Sequence, residues 1–180
     1  MIYEANEDSF LLRKFVLRYA HEDVLDMGTG SGIQAEAALE KTKEVLAVDI
    51  NYEAIDFCRK KGINALQSDL FEHVTGVFDL IIFNPPYLPE EREDLGTMLT
   101  IDDFNYVNDI ALVGGKHGWE TIDRFLKDAK KYLKKDGKIL LSFSSLAGDV
   151  EKIMKNYGYN FEKLAEKRIF FEALYVYLLK

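Results

Sequence analysis

The chain has 180 residues, of which 48% are hydrophobic and 30% charged, and its formal net charge is −8. This length and composition predict one globular domain over residues 1–180, with enough apolar surface for a core. No apolar run is long enough to span a membrane and residues 1–8 lack a signal-peptide pattern, so we expect a cytoplasmic protein. The acidic balance disfavours a nucleic-acid substrate without excluding one, and the single cysteine excludes an internal disulfide framework.

Helical and strand-like apolar patterns alternate along the whole chain. Predicted helices cover residues 9–20, 33–41, 52–61, 119–134 and 148–157, and predicted strands cover 24–27, 44–48, 63–67, 78–83, 138–144, 161–168 and 172–179. This alternation predicts a parallel sheet with helices on both faces. The strand at 172–179 is apolar on both faces and is therefore expected inside the sheet. The polar, aperiodic segment 88–113 predicts a functional insertion.

Asn84-Pro85-Pro86-Tyr87 directly follows the predicted strand 78–83 and is the most informative motif of the chain. The two prolines stop the strand and fix the backbone, because each ring locks φ and removes an N–H donor. The amide of Asn84 and the ring of Tyr87 are thereby held at the carboxyl end of the strand, where open α/β sheets bind ligands. A fixed amide, an exposed prolyl carbonyl and an aromatic face suit the binding of a planar –NH2 group.

A glycine-rich turn at residues 28–32 joins the first predicted strand to a helix, an arrangement that lets the backbone approach a ligand closely. A dinucleotide fingerprint needs its third glycine where this chain has Ile33, and a P-loop needs a Gly-Lys-Ser/Thr that is absent. The Asp-x-Gly-x-Gly-x-Gly pattern of an S-adenosylmethionine loop fits, and its positions here are Asp26, Gly28, Gly30 and Gly32. A purely structural tight turn is the alternative.

Acidic residues end the next two predicted strands. Asp49 is placed to accept both ribose hydroxyls of a nucleoside, and the adjacent Ile50 is predicted as a further cofactor contact. Asp69 is placed to accept from an adenine amine, with Leu70 packing on the ring. Each acid taken singly is explained as well by a helix cap or a turn. Jointly, polar residues end four successive strands at one edge of the sheet, which favours a binding site: Asp26, Asp49, Asp69 and Asn84.

The turn at 28–32 and the motif at 84–87 together resemble class I S-adenosylmethionine-dependent methyltransferases that act on amide or exocyclic nitrogens. Residues 3–12, Tyr-Glu-Ala-Asn-Glu-Asp-Ser-Phe-Leu-Leu, resemble the opening of the HemK/PrmC-type enzymes, although Ala5 stands where that family usually has proline. Residues 111–118 resemble the family's Ala-Leu-x-Gly-Gly-x-x-Gly segment. The resemblance implies an α/β, Rossmann-like fold with a seven-stranded, mostly parallel sheet, a C-terminal antiparallel strand and helices on both faces.

The same resemblance implies transfer of a methyl group from S-adenosylmethionine to the glutamine side chain of the Gly-Gly-Gln motif in class 1 peptide release factors. The Asn84 oxygen and the Pro85 carbonyl would accept the two amide hydrogens. Asp8 and Ser9, in a cofactor-covering segment at 1–20, would close over the methionine end of the cofactor or cap the first helix. The implied catalytic residues are Asn84, Pro85, Pro86 and Tyr87, and the implied substrate contacts are Asn84, Pro85 and Tyr87.

The absence of a separate helical domain makes the chain similar to the short archaeal and eukaryotic form of that family. Members of this form work with a small zinc-binding activator subunit, which would pair with the predicted edge strand 63–67. A solvated edge is the alternative. The scattered histidines predict no metal site in the chain itself. Two other hypotheses stay open: a methyltransferase of nucleobase amines in RNA or DNA, and a cofactor-binding partner without catalytic activity.

Overall fold

The computed structural model describes residues 5–90, 111–170 and 172–180. Its helices are α1 (Glu7–Tyr19), α2 (Ile33–Leu39), α3 (Tyr52–Lys60), α4 (Glu120–Ala129) and α5 (Val150–Asn156). Its strands are β1 (Val24–Met27), β2 (Val45–Asp49), β3 (Ala65–Gln67), β4 (Phe78–Phe83), β5 (Leu88–Pro89), β6 (Val113–Gly115), β7 (Leu133–Ser144), β8 (Phe161–Ile169) and β9 (Glu172–Leu179).

Seven of these strands form one sheet in the order β3-β2-β1-β4-β7-β9-β8. Strands β3, β2, β1, β4 and β7 run parallel, whereas β9 is antiparallel to both of its neighbours, β7 and β8. The prediction of a mostly parallel sheet with an antiparallel C-terminal strand is confirmed. The doubly apolar strand β9 also lies inside the sheet, as its sequence predicts.

Each face of the sheet is covered by its own hydrophobic cluster, because successive side chains of a strand point to opposite faces. In β4, Ile81 and Phe83 contribute to one cluster, whereas Leu80 and Ile82 contribute to the other. Helices α4 and α5 pack against the first face, and α1, α2 and α3 pack against the second. All four of these β4 side chains are at most 2% exposed, so the strand is buried on both faces as parallel strands usually are.

The largest difference from the predicted elements lies between α4 and β7. The sequence predicts a helix to residue 134, but α4 ends at Ala129, a 3-10 turn covers Lys130–Tyr132, and β7 begins directly after it. The ammonium of Lys134 lies 2.5 Å from a carboxylate oxygen of Asp23 and 2.7 Å from one of Asp79, near the amino ends of β1 and β4. This tertiary ion cluster outweighs the local helical pattern. The remaining predicted boundaries differ by a few residues at element ends.

Only the ends of the predicted insertion at 88–113 belong to the described residues; residues 91–110 lie outside them. The two ends, β5 and β6, pair in parallel as a small separate sheet beside the carboxyl edge of the main sheet. Residues 1–4 of the predicted cofactor-covering segment also lie outside the described residues. None of the helices in the described ranges has both the length and the apolar character needed to cross a membrane.

Candidate functional site

A cavity of about 470 Å³ lies at the carboxyl edge of the sheet. Parallel strands end at the same edge, so the segments that follow β1, β2, β3 and β4 converge there. The cavity brings together most of the side chains and backbone groups that the sequence predicts for the site: Asp8, Gly28, Gly30, Asp49, Ile50, Asp69, Leu70, Asn84, Pro85, Pro86 and Tyr87. Three predicted residues, Ser9, Asp26 and Gly32, are not part of its lining.

The glycine turn after β1 needs glycine for backbone reasons. Gly28, Gly30 and Gly32 have φ angles of +63°, +51° and +84°, a region that L side chains rarely adopt. A Cβ atom on Gly28 would lie 3.2 Å from the ring of Phe83. On Gly32 it would lie 3.0 Å from Ile63 and 3.1 Å from Cys58. Gly28 and Gly30 therefore present bare backbone to the cavity, while Gly32 allows close packing behind it.

Asp26 lies beneath this turn and outside the cavity lining, and its predicted contact with the cofactor stays a prediction. The carboxylate is 1% exposed and accepts hydrogen bonds from the Thr29 hydroxyl (2.6 Å) and the Ala35 backbone N–H (3.0 Å). Burial raises the pKa of Asp26 to about 7, against the opposing effect of these two hydrogen bonds. The residue therefore fixes the turn to the start of α2 and does not reach the cavity.

Asp49 lies in the cavity wall at the end of β2 and holds two backbone segments. Its Oδ2 accepts from the N–H of Gly30 (2.9 Å), and its Oδ1 accepts from the N–H of Asn51 (2.8 Å). Burial raises the pKa of Asp49, opposed by backbone hydrogen bonds. The N-cap of α3 is Asn51, whose side chain accepts from Glu53, so capping does not explain Asp49. A carboxylate has about four acceptor positions, so Asp49 can hold these backbone segments and still accept from a ligand hydroxyl.

Asp69 has a partner that the sequence analysis did not identify. Its Oδ2 accepts a hydrogen bond of 2.8 Å from the guanidinium of Arg124 on α4, and both residues line the cavity. Leu70, next to Asp69, has a φ of +47°, which is uncommon for a residue other than glycine. Arg124 is separated from Asp69 by 55 positions. No local pattern could have linked them, since only the packing of α4 on the sheet makes them neighbours.

Asn84, Tyr87 and Asp8 form a hydrogen-bonded group at the cavity. The Asn84 Nδ2 donates to Asp8 Oδ2 at 3.1 Å, and the Tyr87 hydroxyl donates to the same oxygen at 3.3 Å. The other Asp8 oxygen, Oδ1, accepts from the backbone and the hydroxyl of Ser9. Asn84 Oδ1 is buried and has no hydrogen-bond partner among the described residues. The amide is therefore anchored through its nitrogen, and its oxygen retains its capacity to accept.

Ser9 supports this group from outside the cavity lining, and its predicted contact with the cofactor stays a prediction. Its hydroxyl lies 3.2 Å from Asp8 Oδ1, and its carbonyl accepts from the side chain of Gln34 at 2.9 Å. The N-cap of α1 is Asn6, whose own side chain makes no capping hydrogen bond, whereas Asp8 Oδ1 accepts from the Ser9 N–H in the first turn. Both residues instead lie in the first turn of the helix and are buried there.

Two glycines of the segment 111–118 pack against the backbone of the 84–87 motif. A Cβ atom on Gly114 would lie 2.5 Å from the carbonyl oxygen of Pro86. On Gly118 it would lie 2.4 Å from the carbonyl oxygen of Tyr87. Contacts below 3.0 Å are not tolerated by a real Cβ, so only glycine fits at either position without a shift of the motif. The segment therefore acts as a rigid support behind the predicted catalytic motif.

The charges that line the cavity are predominantly negative. Among its described lining residues, five carboxylates oppose one guanidinium: Glu7, Asp8, Asp49, Asp69 and Glu172 against Arg124. The Oε2 atom of Glu172, at the start of β9, is buried without a hydrogen-bond partner in the described part of the chain. In the part of the chain that the structure describes, no group of three or more His, Cys, Asp or Glu side chains could hold a metal ion.

Comparison with known proteins gives consistent matches. Residues 7–101 match the model of the methyltransferase small domain. A protein from Methanocaldococcus jannaschii, named as a candidate protein N5-glutamine methyltransferase, is 40% identical over 97% of this chain and 89% of its own length. The release factor glutamine methyltransferase of Rhodopirellula baltica is 36% identical over 76% of this chain. The chain spans only 50% of that bacterial relative.

A solved structure matches over nearly the whole chain. It is that of the E. cuniculi Mtq2–Trm112 complex, which is responsible for methylation of the translation termination factor eRF1. The TM-score is 0.77 at 26% identity, and the match covers 99% of this chain and 98% of the solved chain. The described fold is thus similar along its full length to a chain of similar extent.

Proposed function

The chain belongs to the family of protein N5-glutamine methyltransferases, and from this premise we propose that it methylates the side-chain amide of a glutamine in a peptide chain release factor. The glutamine of a Gly-Gly-Gln motif is the proposed acceptor. The observation that carries the proposal is Asn84, whose nitrogen is anchored on Asp8 while its buried oxygen lacks a partner among the described residues. A buried acceptor without a donor is costly, and an incoming amide N–H would remove that cost.

The residues at the cavity fit S-adenosylmethionine, the cofactor of this enzyme. When bound, the cofactor supplies an electrophilic methyl group on a sulfonium. The volume of about 470 Å³ suits a small-molecule site, and the bare backbone of Gly28 and Gly30 allows close approach. The carboxylates of Asp49 and Asp69 would accept from the ribose hydroxyls and the adenine amine, and Ile50 and Leu70 would pack on the adenine ring.

The chain's own residues would bind and orient the acceptor amide. The Asn84 side-chain oxygen and the Pro85 carbonyl would accept its two hydrogens, and the Tyr87 ring would pack on its plane. Both hydrogen bonds strengthen as positive charge develops on the nitrogen, so they stabilise the transition state more than the bound substrate. Pro86 holds the backbone of the motif rigid. After transfer, the surplus proton on nitrogen passes to water.

The charge of the cavity supports a protein acceptor over a nucleic acid. Phosphate groups bind to lysine and arginine side chains, and backbone contacts dominate nucleic-acid affinity. The described lining instead carries five carboxylates and one arginine, which would repel a phosphate backbone at the reaction centre. A neutral glutamine amide on a protein loop enters such a cavity without that repulsion. Methylation of a nucleobase amine is the second candidate, because the motif at 84–87 would bind either –NH2 group.

We propose a small zinc-binding activator subunit as the partner, and we propose that it binds along the edge strand β3. Within the described sheet this strand, Ala65–Gln67, pairs only with β2, so its outer side is available for strand addition. The Ala65 carbonyl accepts from the Arg59 guanidinium at 2.9 and 3.1 Å, and an added strand that bonds this carbonyl would displace the Arg59 side chain. The Mtq2 chain that this protein resembles was solved as a complex with Trm112, which supports an activator. We also propose that the protein acts in the cytoplasm, where release factors function.

A labelled-methyl assay tests the proposed acceptor. The protein, with and without a co-expressed activator, is incubated with tritium-labelled cofactor and either release factor, RNA or DNA. We expect label in the release factor, and mass spectrometry should place the methyl group on the glutamine of its Gly-Gly-Gln motif. Label confined to nucleic acid would contradict the proposal.

The variant Asn84→Ala tests the residue that carries the proposal. We expect methyl transfer to fall about 10²–10³-fold, because the acceptor loses an interaction that strengthens in the transition state. Cofactor affinity, measured by calorimetry, should stay within a few fold of wild type. Transfer at the wild-type rate in this variant would show that Asn84 does not bind the acceptor amide.

A further inference from the structure

We propose that Asp8 is a positioning residue for methyl transfer, which sets the orientation of the Asn84 side-chain amide. This inference rests on the proposed function, since it assigns a task to a residue behind the acceptor-binding group. The geometry is a hydrogen bond of 3.1 Å from Asn84 Nδ2 to Asp8 Oδ2, between residues 76 positions apart. Asp8 is 3% exposed, so its carboxylate is a buried part of the site and not a surface charge.

An asparagine amide needs such a partner because its two ends have nearly the same shape. Rotation by 180° exchanges an acceptor oxygen for a donor nitrogen with little steric change. If the nitrogen of Asn84 faced the acceptor glutamine, two –NH2 groups would oppose each other and the substrate hydrogen bond would be lost. A carboxylate has no hydrogen to donate, so Asp8 accepts the Nδ2 end and disfavours the Oδ1 end. Asp8 thereby leaves Asn84 Oδ1 as the end that can bind the substrate.

The Asp8 carboxylate is itself fixed by several donors. Its Oδ1 accepts from the Ser9 backbone at 2.6 Å and from the Ser9 hydroxyl at 3.2 Å. Its Oδ2 accepts from both Asn84 and the Tyr87 hydroxyl, the latter at 3.3 Å. It also lies in the first turn of α1, where the positive end of the helix dipole stabilises a negative charge. One carboxylate therefore orients two side chains of the 84–87 motif.

The same contact also makes Asn84 a better acceptor. A hydrogen bond from an amide N–H to a carboxylate polarises the amide and places more negative charge on its oxygen. That oxygen is the group that accepts from the glutamine nitrogen while positive charge grows there. The effect of Asp8 is thus larger in the transition state than in the bound ground state, so its removal should lower kcat more than it raises KM for the acceptor.

The substitution Asp8→Asn tests this role with almost no change in volume. The new amide can donate to Asn84 Oδ1, so it permits the orientation that the carboxylate excludes. We expect kcat for release-factor methylation to fall about 10²-fold, the order of loss that a misplaced reacting group produces. Cofactor affinity should change by no more than a few fold. The matched control is Asp149→Asn, at the N-cap of α5, where an acid also accepts from a helix N–H but lies outside the cavity lining.

A double-mutant cycle with Asn84→Ala separates positioning from a structural effect. If Asp8 acts mainly through Asn84, the loss caused by Asp8→Asn should be at least about 10-fold smaller in the Asn84→Ala background than in wild type, because only the contact with Tyr87 then remains. The residual rates are followed by tritium label. Multiplicative losses would overturn the proposal, as would an unchanged kcat in Asp8→Asn. A loss confined to cofactor affinity would also overturn it, because Asp8 would then be a cofactor contact only.

A second readout does not depend on activity. In ¹H–¹⁵N spectra of the full chain, the Asn84 side-chain signal is assigned by its disappearance in Asn84→Ala. We expect one of its two protons to exchange slowly with solvent, because it is bonded to the buried carboxylate, and we expect that protection to be lost in Asp8→Asn. Unaltered protection in Asp8→Asn would overturn the proposal. If the wild-type protein methylates no release factor, the proposed function fails, whereas this spectrum still decides whether Asp8 orients Asn84.

Discussion

At the scale of single residues, Asp26 shows how the fold changes the chemistry of an acid that looks like a ligand. It lies one residue before the end of β1, near the strand-end polar residues Asp49, Asp69 and Asn84, but its carboxylate lies beneath the glycine turn and accepts from Thr29 and Ala35. Enclosure in the protein raises its pKa to about 7. The folded protein therefore holds a proton on Asp26 at pH values where the unfolded chain has released it.

This pKa leads to a prediction for stability against pH. Between about pH 4 and pH 7, unfolding releases the Asp26 proton, so the contribution of this residue to stability is full below pH 4 and is lost as pH rises to about 7. The variant Asp26→Asn cannot titrate, so its free energy of unfolding relative to wild type should rise across that window by at most about 4 kcal/mol. Urea unfolding at a series of pH values measures the difference, and a flat difference would contradict the prediction.

At the scale of elements, the segment 111–118 supports the motif at 84–87 through close backbone contacts. Gly114 and Gly118 lie against the carbonyl oxygens of Pro86 and Tyr87 at distances that exclude a Cβ atom. The motif at 84–87 is therefore held from two sides. Asp8 on α1 accepts its hydrogen bonds on one side, and β6 with the residues that follow it packs against its backbone on the other. A motif that binds a planar amide depends on such support, because small displacements of reacting groups are costly.

The substitution Gly118→Ala tests this support, and Gly76→Ala is its matched control. Both glycines have a φ of +89°, so alanine costs about 1–2 kcal/mol of left-handed strain at either position. A Cβ on Gly76 meets nothing within 4 Å, whereas on Gly118 it meets the Tyr87 carbonyl at 2.4 Å. We expect Gly118→Ala to lose more thermal stability than Gly76→Ala, because of this contact, and we expect a loss of methyl transfer, about 10-fold or more, only in Gly118→Ala. Equal activities would show that the motif tolerates the shift.

The elements also show what the sequence could predict. Strand ends and turn chemistry are local, so the glycine turn, Asp49 and Asp69 were found from their order along the chain, and the cavity contains them. The partners of these residues are not local. Arg124 reaches Asp69 across 55 positions and Asp8 reaches Asn84 across 76, so no spacing rule connects either pair. The same limit applies to the end of α4. Helical periodicity extends to Lys134, but Lys134 lies in β7 and bonds Asp23 and Asp79, which are distant in the sequence.

At the scale of the whole molecule, the carboxyl ends and the amino ends of the parallel strands have different roles. The carboxyl edge carries the cavity, with its concentration of acidic groups. The amino edge carries Lys134, which bonds Asp23 before β1 and Asp79 in β4 from its place in β7. The backbone N–H of Asp23 also donates to Asp79 at 3.0 Å. Three strands, two of them neighbours of β4, are thus tied together at the end of the sheet that is remote from the reaction.

This separation predicts that Lys134→Met lowers stability and leaves methyl transfer unchanged. Burial alone would raise the pKa of Asp79, but the hydrogen bonds from Lys134 and from the Asp23 backbone outweigh it and lower that pKa. A lowered pKa contributes stability that is present above about pH 4 and is lost as pH falls through the folded-state value. The unfolding temperature of Lys134→Met should therefore lie below that of wild type at pH 7, and the gap should narrow as the pH is lowered below 4.

Calorimetry across this range measures the gap, and kcat for release-factor methylation at a temperature where both proteins are folded measures activity. A gap that stays constant in acid would mean that the ion pairs with Asp23 and Asp79 do not cause the stabilisation, and a fall in kcat would mean that the amino ends of the strands are coupled to the site.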